Sequence, residues 1–113
     1  MATIRQEINI LDITVAAFPA GGTSNERVQL DTTRYGITAT YYFEAVAKGV
    51  SAKTVALNRV SAGTNDATIT TDTSNVNKRY RSTAFTPPAG QTEYNIEDVS
   101  GGTSIIAARI III

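Results

Sequence analysis

The sequence predicts an all-β fold: a single antiparallel β-sandwich of eight or nine strands, jelly-roll-like, with an immunoglobulin-like sandwich as the alternative. Three observations lead there. Thr (17), Ile (13) and Val (8) supply 38 of 113 residues, while Leu occurs only three times. β-Branched side chains lose rotamer freedom in a helix but stand well on a pleated surface. Apolar residues recur with a period of two, and Gly-, Pro- and Asn-containing turns punctuate the chain at short, even intervals, as in two-sheet sandwiches. At 12.0 kDa a folded monomer buries about two-thirds of the surface its unfolded chain exposes, enough for a core without disulfides or metal.

The elements follow in order. From Ala2 to Phe18 the apolar positions alternate in two phases: Ile4, Ile8 and Ile10 share one parity, Leu11, Ile13, Val15 and Ala17 the other. A slip of one residue at Ile10-Leu11 reads as a bulge, or as a long strand that changes partner sheet. Pro19 to Asn25 is a loop by composition, and a short strand then carries Val28 and Leu30. Ile37 to Lys48 predicts the clearest strand, with Ile37, Ala39, Tyr41, Phe43, Ala45 and Ala47 facing the core and the other face partly wet. Turns at Lys48 to Ser51 and Ser61 to Asp66 flank a strand over Lys53 to Val60, with Val55 and Leu57 inward, and imply antiparallel neighbours on both sides. Ala67 to Thr71, a basic strand from Asn77 to Phe85, Thr92 to Val99 and a final apolar strand complete the count. Residues 1–18 read as a long N-terminal strand and possible intersubunit arm, and residues 19–113 as the sandwich domain ending in the apolar C-terminal strand. The missing Trp and Cys weaken only the antibody subtype of the immunoglobulin alternative.

Composition excludes most chemistry. With no His and no Cys, the Ser-His-Asp and Cys-His nucleophile systems, His/Cys zinc sites and the haem and iron–sulfur ligand sets cannot be built. Ten Lys plus Arg balance ten Asp plus Glu, so the cationic excess that displaces phosphate counterions is lacking, and no nucleic-acid partner is expected. Arg5, Glu7 and Asp12 interrupt the N-terminal apolar stretch, so no signal peptide is readable. The nine residues Ile105 to Ile113 contain Arg109 and fall far short of the about 20 that cross a bilayer as a helix. No membrane partner and no cofactor are expected, and the chain is read as non-enzymatic.

The terminal run Ile110, Ile111, Ile112 and Ile113 places large apolar groups on both faces of one strand. Such a strand is either central in the domain's own sandwich or covered by a neighbouring subunit, since an apolar open edge invites association. The N-terminal segment, long for one strand, either bridges both sheets or leaves the domain to pair with a second copy by strand addition. Ile4, Ile8 and Ile10 join the four terminal isoleucines as the candidate self-assembly interface. The turns holding Asn65-Asp66 and Asp72 to Asn75 carry oxygens for a hard cation, but Asx-turn chemistry accounts for them. Glu93, Glu97 and Asp98 offer carboxylates such as a glycosidase pairs across a sugar, Glu93 and Glu97 sharing a strand parity and Asp98 not, but with Asn95, Thr92 and Ser100 alongside they read as a solvated strand face. Tyr42 and Tyr80 are the candidate glycan contacts, with core packing or edge cover as the alternative.

The segments Tyr41-Tyr42-Phe43-Glu44-Ala45-Val46-Ala47, Arg79-Tyr80-Arg81-Ser82 with Phe85, Pro88-Ala89-Gly90 and Ala107-Ala108-Arg109-Ile110-Ile111-Ile112 together resemble the small jelly-roll modules of bacteriophage virion proteins and microbial extracellular fibres. The resemblance covers about residues 37–113 through loose strand patterns; Ala2 to Phe18 lies outside it. It implies a structural role, copies of the same chain as partners, and a location in a virion particle or extracellular fibre. A carbohydrate-binding module is the alternative function.

Overall fold

The fold is described by a computed structural model for residues 5–16 and 19–113. Its strands are β1 (Gln6–Ala16), β2 (Gly22–Thr23), β3 (Val28–Asp31), β4 (Tyr41–Lys48), β5 (Thr54–Arg59), β6 (Thr64–Thr70), β7 (Lys78–Arg81), β8 (Gln91–Asp98) and β9 (Ser104–Ile112). The innermost fold of the chain is the β5–β6 hairpin, whose turn is closed by Gly63 at φ 64°. Glycine takes that left-handed conformation without the roughly 1–2 kcal/mol that most other residues lose there. Around this hairpin the chain closes further antiparallel pairs in nested order: β4 with β7, β3 with β8, and β1 with β9.

Successive pairs fall in alternate sheets. One sheet runs β1-β9-β4-β7; the other runs β8-β5-β6, with β2 and β3 both on the outer side of β8. This nested winding between two sheets is the jelly-roll arrangement that strand number and spacing predicted.

Parity builds the core. Phe43, Ala45 and Ala47 on β4, Val55 and Leu57 on β5, Ile96 on β8, and Ile105, Ala108 and Ile110 on β9 meet between the sheets with at most 1% exposure. The phase slip at Ile10-Leu11 is a bulge: the β1–β9 register shifts between Asn9 and Leu11, so the strand stays on one partner throughout.

Three readings are corrected. The strand expected from Ile37 begins at Tyr41, because the Ala39 amide donates to the Gly36 carbonyl at 2.9 Å and turns the chain there; Ile37 is thrown fully into solvent. The turn at Lys48 to Ser51 does not join neighbours: β4 lies between β9 and β7, β5 between β8 and β6, and the turn carries the chain across the core. The basic strand ends at Arg81, after which Phe85 makes one isolated bridge to Tyr41. Two short elements went unforeseen. β2 lies inside the Pro19–Asn25 loop, and a 3-10 turn spans Thr32–Arg34, capped by the Asp31 carboxylate, which accepts from the Thr33 amide and hydroxyl at 3.0 and 2.6 Å.

Candidate functional site

The terminal isoleucines lie inside the chain. β9 runs between β1 and β4; Ile110 and Ile112 point into the core with Ile10, and half-buried Ile8 packs against them. Ile111, on the opposite face, is also fully buried. The expectation that a second subunit covers this run is therefore corrected at Ile110, Ile111 and Ile112. The long β1 and β4 supply the flanking cover, and these three side chains offer no surface. Ile113 remains 37% exposed, its backbone paired with Thr40. Ile4 and the residues at 17 and 18 lie outside the described residues.

What the first sheet does offer is two edges. The reciprocal bonds between Thr40 and Ile113, at 2.8 and 3.0 Å, make that pair a hydrogen-bonded one. Alternation along β9 then turns the amides and carbonyls of Arg109 and Ile111 toward β4, and those of Ile110 and Ile112 toward β1. On β1, opposite, Gln6 and Ile8 bond to β9 while Glu7 and Asn9 direct their backbone groups outward. At the far edge, Ser82 donates to the Phe43 carbonyl at 2.7 Å, so β4 residues of odd number face β7. Lys78 and Tyr80 oppose them, and Arg79 and Arg81 direct their backbone groups away from the sheet. The two edge strands differ in composition: β1 holds Glu7, paired at 2.7 Å with Arg5 just before the strand, and no Lys or Arg of its own, whereas β7 reads Lys-Arg-Tyr-Arg.

Between these edges, on the sheet's outer face, lies a cluster that the sequence reading missed. Glu44 is 1% exposed, flanked along β4 by Phe43 and Ala45. Arg81 Nε and Nη2 donate to its Oε2 at 3.3 and 3.2 Å. Arg79 Nε and Arg109 Nη1 stand 3.6 and 3.7 Å from Oε1, and among the described residues neither Oε1 nor Arg109 Nε has a hydrogen-bond partner. Arg109 also lies 3.9 Å from Glu7. The Arg81 guanidinium sits 5.5 Å from the centre of the Tyr42 ring, a cation–π contact. The register of three adjacent strands builds it, Glu44 opposing Arg81 on one side and Arg109 on the other, and no local sequence pattern marks that pairing.

The other candidates resolve as follows. Tyr42 lies on the outer face opposite Ile111, whereas Tyr80 opposes Ala45 and packs against the core, its hydroxyl accepting from the Asp72 amide. Opposite parity keeps the two rings from forming one platform. Asp72 accepts from the Ser74 amide and hydroxyl, an Asx turn, and pairs with Lys78, whose ammonium, ahead of Ser74, holds its carboxyl far below the usual range. Asp98 is fully buried and clamps the following turn, accepting from the amides of Gly101 and Thr103 and from the Thr103 hydroxyl. Glu93 instead pairs at the surface with Arg27. Among the described residues no group of acidic side chains is placed to hold a metal ion, and no helix is long and apolar enough to cross a membrane.

A cleft opens at the end of the sandwich where β4 begins, with a volume of about 640 Å³, between the loop preceding Tyr41 and the loop around Phe85. Tyr35 meets Tyr41 edge to face with ring centres 6.2 Å apart, and Phe85 follows at 6.1 Å. Comparison with protein-family models, curated proteins and solved structures finds no match to this chain.

Proposed function

We propose that the protein is a non-enzymatic structural subunit that assembles into an ordered homopolymer by pairing the β1 edge of one copy with the β7 edge of the next. The observation that carries this reading is the pair of open edges on one sheet, one basic and the other with no Lys or Arg of its own. A lone two-fold contact, β1 on β1, closes at a dimer, whereas β1 on β7 is head-to-tail and propagates. Basic side chains on an edge ordinarily guard it against stray strands. Here they repel another β7 and admit β1, so the same residues exclude and select. Outward main-chain groups of Glu7 and Asn9 meet those of Arg79 and Arg81, extending the sheet by strand addition. An ordered polymer of this kind suits a fibre or virion component.

The test is the size of the purified protein by light scattering with negative-stain imaging, beside the variant Asn9→Pro. That substitution removes an outward N–H and leaves the bonds to β9 in place, a position where an edge strand tolerates proline. Long uniform assemblies from the parent chain, and a folded monomer from Asn9→Pro, are expected. A parent chain that stays monomeric at high concentration, or an Asn9→Pro variant that assembles equally well, overturns the reading.

A further inference from the structure

We propose that the cleft at the β4 end of the sandwich is a binding site for a neutral saccharide. Three features of its wall select that ligand class.

The first is charge. Not one of the cleft-lining residues is Asp, Glu, Lys or Arg, in a chain where 18% of residues are charged. An anionic or cationic ligand finds no counter-ion there, and burying an unpaired charge is costly.

The second is an unspent hydrogen-bonding group. Tyr41 lines the cleft and is 7% exposed overall; no described residue bonds its hydroxyl, which is not among the buried unpaired polar atoms and so stays open to solvent at the cleft. Burial, followed by the neighbouring Tyr35, pushes its pKa upward, so it is a neutral donor over the physiological range. A solvent-facing hydroxyl in such a cleft can exchange its water for a ligand hydroxyl. Thr40 and Thr86 add further hydroxyl groups beside the rings of Tyr35 and Phe85. Alternating aromatic surface and neutral donors match a pyranose, which presents C–H faces and a hydroxyl rim.

The third is that the wall is already built and its backbone already used. Thr32 accepts from the Gly90 amide through its hydroxyl at 2.8 Å and donates its own amide to the Gly90 carbonyl at 3.0 Å, tying the two loops together. Phe85 donates to the Tyr41 carbonyl at 2.9 Å, and Thr40 is bonded both ways to Ile113. An extended peptide added as a strand needs a row of free amides and carbonyls, and here these groups bond one another. A preformed, largely apolar cleft with a few placed polar groups is the usual small-ligand site.

The experiment is a titration of the isotopically labelled protein carrying Asn9→Pro, the substitution expected to keep it a folded monomer and one outside the cleft, followed by amide NMR shifts. The probes are neutral trisaccharides of glucose, galactose, mannose and N-acetylglucosamine, with trigalacturonic acid as the charged control. Saturable shifts centred on Thr40, Tyr41, Phe85 and Thr86 are expected from at least one neutral sugar. Tyr41→Phe, which removes only the hydroxyl, should weaken that affinity about fivefold, the worth of one hydrogen bond, with unchanged melting temperature. The proposal is overturned if no neutral sugar shifts these amides at about 10 mM, or if trigalacturonic acid binds as well. It also fails if the same amides shift with protein concentration alone and Ile37→Asp abolishes the effect, because a second copy would then fill the cleft.

Discussion

Replacing Glu44 by Gln keeps the shape of the side chain and removes its charge, leaving Arg109 as the exposed consequence. Arg109 has a side chain only 19% exposed and stands 3.7 Å from Glu44 Oε1. At an effective dielectric of about 20, two unit charges at that separation attract by roughly 4 kcal/mol, most of it offset by desolvation of the pair. Arg79 and Arg81, at 63% and 38% exposure, are screened by solvent and contribute under about 1 kcal/mol each. The single change strands a poorly solvated guanidinium and should cost about 3 kcal/mol, a fall in melting temperature of roughly 12 °C for a domain of this size. Arg109→Leu alone should cost less, about 1 kcal/mol, because Glu44 keeps the two hydrogen bonds from Arg81 and the neighbouring Arg79. The double variant Glu44→Leu/Arg109→Leu removes both charges and should lie within about 1 kcal/mol of the parent, because apolar replacement of a buried pair is often neutral. Urea unfolding followed by circular dichroism closes the cycle. Additive losses, or a Glu44→Gln cost below about 1 kcal/mol, would refute the claim that this face is held by a desolvated ion cluster.

Other outcomes follow from local geometry. Asp98→Ala should cost about 2–4 kcal/mol in the same urea assay, since it orphans two buried amides and the Thr103 hydroxyl. Gly101→Ala should cost about 2 kcal/mol or more, because its φ of 77° is unfavourable and the new Cβ would meet the Ala20 nitrogen at 2.6 Å; Gly63→Ala, equally left-handed but facing open space, should cost only about 1 kcal/mol. Calorimetric melting temperatures should be flat from about pH 5 to 9, because no histidine titrates there. Below the ordinary carboxylate value of 3.8, stability should fall: Asp72 and Asp31 titrate lower in the fold, so the unfolded chain takes up protons first. Above 10.0 it should fall again, because burial raises Tyr94 and Tyr41 and the unfolded chain ionises first.

Strand content, the inward parity of β4 and the bulge in β1 were legible because each is written in a local period. Where the strands pair was not. Lys48 to Ser51 has the composition of a hairpin turn, yet it links different sheets, because β4 and β5 each find both lateral partners elsewhere. Ile37 continues the alternation of β4, but one bond between Ala39 and Gly36 ends the strand before it. The isoleucine run signalled burial on both faces and left its covering open; β1 and β4 of the same chain resolve it. Glu44 was read as partly wet because its neighbours in space, Arg81 and Arg109, lie 37 and 65 positions away in the chain, beyond any local pattern.

The nested winding has a consequence in time. β1 is synthesised before the other described strands, but its only lateral partner among them, β9, comes about 100 residues later, a delay of roughly 5–20 s at ribosomal rates. Closing so long a loop is entropically dear beside the five-residue distance within the β5–β6 turn. Nucleation therefore begins at the middle of the chain and finishes at its ends. Until it finishes, the first strand of one nascent chain can complete the last strand of another, yielding an interlocked dimer with every native contact preserved. Crowded polysomes favour that product; dilute refolding of released chains favours the monomer.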